Sequence, residues 1–128
     1  SASINNIQPF LYNFTDEQFG LCHNGNLTNA LSLKKELEDQ GAIFNASSDT
    51  EILMHLIRRN HNPEFIGKVK EALNTVKGGF AYLLMTEDKL IAALDPNGFR
   101  PLSIGQMANG AWVVHVPLKW LVLNGFVM

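Results

Sequence analysis

Apolar residues recur along this chain with two different periods, and the change from one to the other divides it. Ala30, Leu33 and Leu37 are spaced by three and four, which predicts a helix over residues 27–40 with one buried stripe. Asn26 has the side chain to cap its start, and Gly41 has the freedom to stop it in a left-handed turn. A second helix is predicted from "SSDTE", where Ser48 and Glu51 have capping-box spacing and Ile52, Leu53, Leu56 and Ile57 share a face. Arg58 and Arg59 suit its C-terminal end, where the helix dipole favours cations. A third helix follows Asn62-Pro63, with Pro63 at its first position and Ile66, Val69, Leu73 and Val76 along one side until Gly78.

Around these helices the helical period is lost. Residues 18–24, "QFGLCHN", predict a short strand, and the opening "SASINN" predicts no element. "FAYLLM" at 80–85 is apolar at every position, as in a central strand covered on both faces, and "LIAAL" at 90–94 returns antiparallel after the polar turn Thr86-Glu87-Asp88-Lys89. Asp95-Pro96-Asn97-Gly98 is a turn, after which "PLSIG" and "AWVV" supply two more strands around residues 106–110. Helices followed by strands give an α+β architecture, helices packed on an antiparallel sheet.

Composition narrows the partners. The chain has 128 residues, 46% hydrophobic and 17% charged, enough for one modest core. No apolar run approaches the roughly 20 residues that cross a bilayer, and no signal-peptide pattern opens the chain, so a cytoplasmic domain with no membrane partner is expected. A net charge of -2 without a basic stripe gives no electrostatic case for nucleic acid. One cysteine excludes an internal disulfide framework, and His23, His55, His61 and His115 lack metal-ligand spacing, so no metal site is expected.

The chemistry concentrates in "LCHNGNL". Cys22 and His23 are neighbours on a predicted strand, hence on opposite faces, and cannot easily act as a dyad. Cys22 is expected as a small buried side chain on the core face, and His23 as a structural residue at the strand end. Asn24-Gly25 differs, because a side-chain amide and the next backbone N–H can converge on one oxygen while glycine admits close approach. The same pair also suits an ordinary turn. Asp49 at a helix start either complements the dipole or receives a substrate ammonium.

These motifs lie in a longer frame. "CHNGNLTNALSLKKELEDQGAIFNASSDTEILMHLI", followed by "GGFAYLLM" and by "DPNGFRPLSIG", resembles the glutaminase domain of the amidophosphoribosyltransferase family across residues 6–114. "HNGN" and "SSDTE" are shared more loosely with other class II glutamine amidotransferases, such as glucosamine-6-phosphate synthase, whereas "DPNGFRPL" points to this member. The resemblance implies an N-terminal-nucleophile (Ntn) hydrolase fold, here incomplete. It implies a glutaminase in which an N-terminal cysteine attacks the glutamine side-chain amide, and the ammonia passes to a phosphoribosyltransferase domain for addition to phosphoribosylpyrophosphate in purine synthesis. On this chain it makes the Asn24 side chain and the Gly25 N–H the oxyanion hole, Asp49 the partner of the glutamine α-amino group, and Cys22 a bystander. It implies no cofactor in this segment, magnesium in the missing phosphoribosyltransferase domain, and a homo-oligomer when intact.

The match leaves parts unfilled. The family's nucleophilic cysteine and the Arg-Tyr-(Ser/Thr)-Thr segment that grips the glutamine carboxylate belong upstream of residue 1, so the chain alone is expected to be inactive. Ser1 falls after that segment in register and is not expected to replace the cysteine. From His115 the resemblance stops, yet permissible codons for residues 115–128, read in another frame, spell Cys-Ala-Ile-Glu-Val-Val-Gly-Ala-Lys-Trp-Phe-Arg-Asp, the family's own continuation. Residues 1–114 are expected to be a partial glutaminase domain and 115–128 a frameshifted tail. A non-catalytic glutamine-binding or regulatory domain, a non-functional fragment, and the glutaminase domain of another class II amidotransferase stay open as alternatives.

Overall fold

The computed structural model describes residues 8–46, 49–98 and 103–115. Among the described residues six strands and three helices follow one another as β1 (Phe10–Asn13), β2 (Gln18–Leu27), α1 (Ala30–Asp39), α2 (Thr50–Arg59), α3 (Phe65–Thr75), β3 (Gly78–Met85), β4 (Leu90–Leu94), β5 (Ser103–Gln106) and β6 (Trp112–His115). The first four strands form one antiparallel sheet in the order β1-β2-β3-β4, and β5 and β6 pair as a hairpin. This is the α+β arrangement that the periodicity predicts. Ser1, Ser48, the "FRPL" part of "DPNGFRPL" and residues 116–128 lie outside the described residues, so the frameshift expectation meets the structure only at His115, in β6.

The three helices cover one face of the sheet. Leu53, Ile57, Tyr82, Leu84 and Leu21 are essentially without solvent contact, joined by Leu33 and Leu37 of α1 and Val69 and Ala72 of α3. Burying each such side chain contributes about 1.5–3 kcal/mol relative to leaving it exposed, which is why the helical stripes end up against the sheet. The opposite face is more open: Leu11, Met85, Leu90 and Leu94 are all exposed, although Ala81 is buried. "FAYLLM" is therefore central in the sheet, as expected, but is covered fully on one face only among the described residues.

Helix boundaries depart from the sequence reading at two starts. Asn26 does not cap α1. It is paired with Gly79 inside the sheet, β2 runs on to Leu27, and the helix starts at Ala30 with Asn29 in the cap position. The eight residues of β3 require a partner of equal length, and that pairing outweighs a cap worth about 1 kcal/mol. Asn29 turns its side chain elsewhere, donating to the Thr75 carbonyl (2.9 Å) and accepting the Lys77 N–H (3.0 Å), so it ties the end of β2 to the start of β3. α3 begins at Phe65, not Pro63, because the Asn60 and Asn62 side chains take the N–H groups of Asn62 and Glu64 in two successive turns. The α1 stop is as expected: Gly41 adopts φ +97°, its N–H meets the Glu38 carbonyl and that of Ala42 the Leu37 carbonyl, a Schellman closure.

β1 has no counterpart in the sequence reading. Its four residues alternate between half-buried and exposed, with Phe10 and Tyr12 turned to the helices, too short a run to stand out. Glu17, at the turn after it, accepts Arg58 Nη1 (2.9 Å) and Lys68 Nζ (3.2 Å), and the Arg58 guanidinium lies 4.0 Å from the Phe14 ring centroid, fastening β1 and β2 to α2 and α3.

His55 of α2 is buried and neutral by its contacts. Its Nε2–H donates to the Ile43 carbonyl (3.1 Å), leaving Nδ1 to accept from Arg59 Nη1 (3.4 Å). Burial holds its pKa below the ordinary histidine value; Arg59 works the same way, while the Ile43 bond and the Glu51 carboxylate oppose. The unfolded chain takes up this proton near pH 6.5, the folded one only at lower pH. The unfolded state therefore binds more protons in that window and stability falls as pH drops below about 6.5. The urea midpoint is expected to decline between pH 7 and pH 5.5, and to decline less in His55→Gln.

Candidate functional site

The site is built on the last four residues of β2. Side chains alternate along this strand, with Leu21, His23 and Leu27 buried on the helix side and Cys22 and Asn24 half-buried on the other. The expectation for the Cys-His pair thus holds in one part and fails in another. The two do face opposite ways, but His23 is the buried partner, its ring stacked on Tyr82 with centroids 4.5 Å apart, while Cys22 sits on the open face. The reason is register: the apolar odd positions of β2 claim the core, leaving the even position 22 outside. Burial, though partial, pushes the Cys22 thiol pKa up, which disfavours the thiolate a nucleophile needs.

Backbone groups alternate as well, and this alternation places Gly25. Thr28 donates to the Lys77 carbonyl (2.8 Å), so in the β2–β3 ladder the even residues of β2 face β3. Opposite Gly25 stands Phe80, whose own N–H and carbonyl are both turned the other way, to the Asp95 carboxylate (3.0 Å) and the Asp95 N–H (2.9 Å). The N–H groups of His23, Gly25 and Leu27 consequently point away from β3, along the edge where β1 has ended at Phe10. The first is taken by the Gln8 side chain and the third by Asp49 Oδ2 at 3.1 Å. The Gly25 N–H lies between them, on an edge with no strand beside it among the described residues.

Asp49 occupies the N-cap position of α2 but makes no side-chain cap hydrogen bond to its helix. Its Oδ2 accepts the Leu27 N–H of β2 instead, while the charge stays at the start of α2. The other acid at this helix start is Glu51, whose capping-box partner Ser48 lies outside the described residues. It is buried and accepts the N–H groups of Asn45 and Ala46 (3.0 and 2.7 Å), closing the connection from α1. Burial first, and the Asp49 charge after it, hold the Tyr82 hydroxyl above its ordinary pKa. Asn24, Gly25 and Asp49 are therefore gathered at one end of one strand, with Gly25 and the Asp49 anchor at Leu27 two residues, about 7 Å, apart on the same edge.

Glycine at 25 is compelled by packing as well as by any ligand. Its φ is +143°, and a Cβ built there would stand 2.2 Å from the Gly79 carbonyl oxygen and 2.7 Å from the Phe80 Cα. Gly78 repeats this across the ladder, with φ +128° and 2.3 Å to the Asn26 carbonyl oxygen. By sequence Gly78 reads as a helix stop and Asp95 as a turn residue; a glycine pair leading into an apolar strand is the signal for such a close backbone approach. Concavities of about 730 Å³ beside the β1–β2 turn and the end of β3, about 590 Å³ between β1 and α2, and about 230 Å³ between α1, α2 and α3 lie away from Asn24, Gly25 and Asp49. Among the described residues no three His, Cys, Asp or Glu side chains converge on a metal position, and no helix is long and apolar enough to cross a membrane.

Comparison with known proteins agrees on one family. The glutamine amidotransferase domain family matches residues 2–122. Amidophosphoribosyltransferase of Staphylococcus epidermidis is 56% identical over 114 residues, covering 89% of this chain and 23% of that protein. The Lacticaseibacillus casei protein of the same name is 59% identical over 102 residues, covering 80% of this chain and 53% of its own length. The solved structure of glutamine phosphoribosylpyrophosphate amidotransferase from B. subtilis, complexed with ADP and GMP, superposes with a TM-score of 0.83 at 48% identity, over 89% of this chain and 25% of that one. The chain thus spans about a quarter of the full-length proteins it resembles.

Proposed function

From a chain that belongs to the glutamine amidotransferase domain family, we propose a half-site for glutamine hydrolysis: it binds the glutamine amino group and stabilises the oxyanion, while the nucleophile comes from outside residues 1–128. The observation that carries this reading is the outward Gly25 N–H, set between the Gln8 and Asp49 anchors on an edge with no strand beside it among the described residues. A thiolate adds to the side-chain amide carbon of glutamine, and the carbonyl π electrons move onto oxygen. The Gly25 N–H and the Asn24 side-chain N–H donate to that oxygen as its charge grows. As the adduct collapses, its nitrogen takes up the proton the thiol gave up and the C–N bond breaks, so ammonia leaves; water then cleaves the thioester to glutamate and the free thiol. Asp49 holds the α-ammonium, with one carboxylate oxygen already fixed by the Leu27 N–H. In a full-length protein the ammonia is delivered to phosphoribosylpyrophosphate at a phosphoribosyltransferase domain.

The test is a chimaera in which residues 6–114 replace the matching segment of full-length Staphylococcus epidermidis amidophosphoribosyltransferase. It is expected to release ammonia from glutamine, and no release from a folded chimaera would reject the reading. In it, Asp49→Asn keeps an acceptor for Leu27 but removes the charge. Glutamine KM is expected to rise about ten- to a hundredfold, the worth of one hydrogen bond to a charged group, with kcat changed little because the ammonium contact serves ground and transition states alike.

A further inference from the structure

The "DPNG" turn has so far served only to mark the family, yet its first residue is a buried carboxylate in contact with the strand behind the site. Asp95 is 3% exposed. Its Oδ1 accepts the Phe80 N–H (3.0 Å) and its Oδ2 the Asn97 N–H (3.0 Å), while its main-chain carbonyl accepts the Gly98 N–H (3.0 Å). In a continuing antiparallel ladder the Phe80 N–H would go to the main-chain carbonyl of its β4-side partner. Here the turn has claimed that carbonyl, and the side chain takes its place. The chain can then leave the sheet at residue 95 without orphaning a buried amide, whose cost would be about 1–3 kcal/mol.

Phe80 is also the residue against which Gly25 is wedged, pair for pair in register and too close for a Cβ. Whatever fixes the Phe80 backbone fixes where the Gly25 peptide lies. A backbone carbonyl on a turn gives with the turn, whereas a buried carboxylate held by two N–H groups is a stiff acceptor. We propose that Asp95 is a positioning residue for the oxyanion hole: through Phe80 it sets the direction of the Gly25 N–H. This rests on the glutaminase reading for its catalytic consequence but not for its structural one.

Two measurements separate the cases. In the 128-residue chain, Asp95→Asn is expected to move the Gly25 and Phe80 amide resonances and to speed Phe80 amide exchange at least about tenfold, by loss of one stiff hydrogen bond. A Gly25 resonance that stays in place overturns the proposal. In the chimaera the same substitution is expected to lower glutaminase kcat about ten- to a hundredfold, the cost of a small misplacement, with glutamine KM within about twofold because the Asp49 contact is untouched. An unchanged kcat, or a rise in KM alone, overturns it. An inactive parent chimaera rejects the glutaminase reading instead, and the resonance of Gly25 still decides the role of Asp95. Should Asp95→Asn not fold, exchange of the Phe80 amide in the unaltered chain decides: protection equal to the core of β3 supports the proposal, and fast exchange rejects it.

Discussion

Replacing Asn24 by alanine in the chimaera is expected to lower glutaminase kcat by about 10²–10³, the cost of one oxyanion-hole donor. The fold gives reason to expect a clean result. Asn24 lies on the half-buried face of β2, away from the packed helix side, so truncating it leaves Leu21, His23 and Tyr82 in place. Its own backbone groups remain in the ladder with Ala81. Glutamine KM should change little, since a neutral amide oxygen asks less of the donor than the oxyanion does. A thermal midpoint near that of the parent, with kcat unaltered, would remove Asn24 from the mechanism and leave the turn reading of Asn-Gly.

Gly25→Ala is expected to act on the fold itself. The added Cβ meets main-chain atoms of Gly79 and Phe80 at 2.2 and 2.7 Å, and backbone cannot swing aside as a side chain end does. Strain at φ +143° and overpacking each contribute about 1–3 kcal/mol, so a loss on the order of 3 kcal/mol or more is anticipated. That is a large part of a typical stability of about 5–15 kcal/mol. Gly41→Ala provides the comparison: its φ is +97° but nothing lies within 4 Å, so only the left-handed cost of about 1–2 kcal/mol applies. Urea unfolding of the two variants measures the difference, and equal losses would show that the Gly25 contacts are looser than these distances.

What could be read from the sequence divides along physical lines. Helices α1 to α3 were legible because three or four apolar residues at helical spacing leave a strong signal, and the glycine stop after α1 obeys a local rule. Strand β1 was not, since four residues with one exposed leucine carry almost no pattern. The start of α1 failed because a cap is a local preference and β2–β3 pairing is a tertiary demand. At the site, Asn24, Gly25 and Asp49 came from motif resemblance, and the structure adds how they are related: through strand edges, not through adjacent side chains. Residue type points Cys22 to the core face, but register assigns the core to the odd positions and leaves Cys22 on the other side. Asp95 was invisible as more than a turn residue, because its partner is a main-chain amide fifteen residues away.

The outward edge of β2 is an arrangement of parity. His23, Gly25 and Leu27 share it only because each is an even number of residues from the core anchors Phe19 and Leu21. A single inserted or deleted residue between Leu21 and Asn24, absorbed by sliding, would exchange the two sides of the strand: the Gly25 amide would turn into the ladder and the Asn24 amide out of it. The helix face would lose its apolar set in the same step. The site and the core are therefore coupled by counting. Length in this stretch can vary without loss of either only in steps of two, or where a bulge takes up the odd residue.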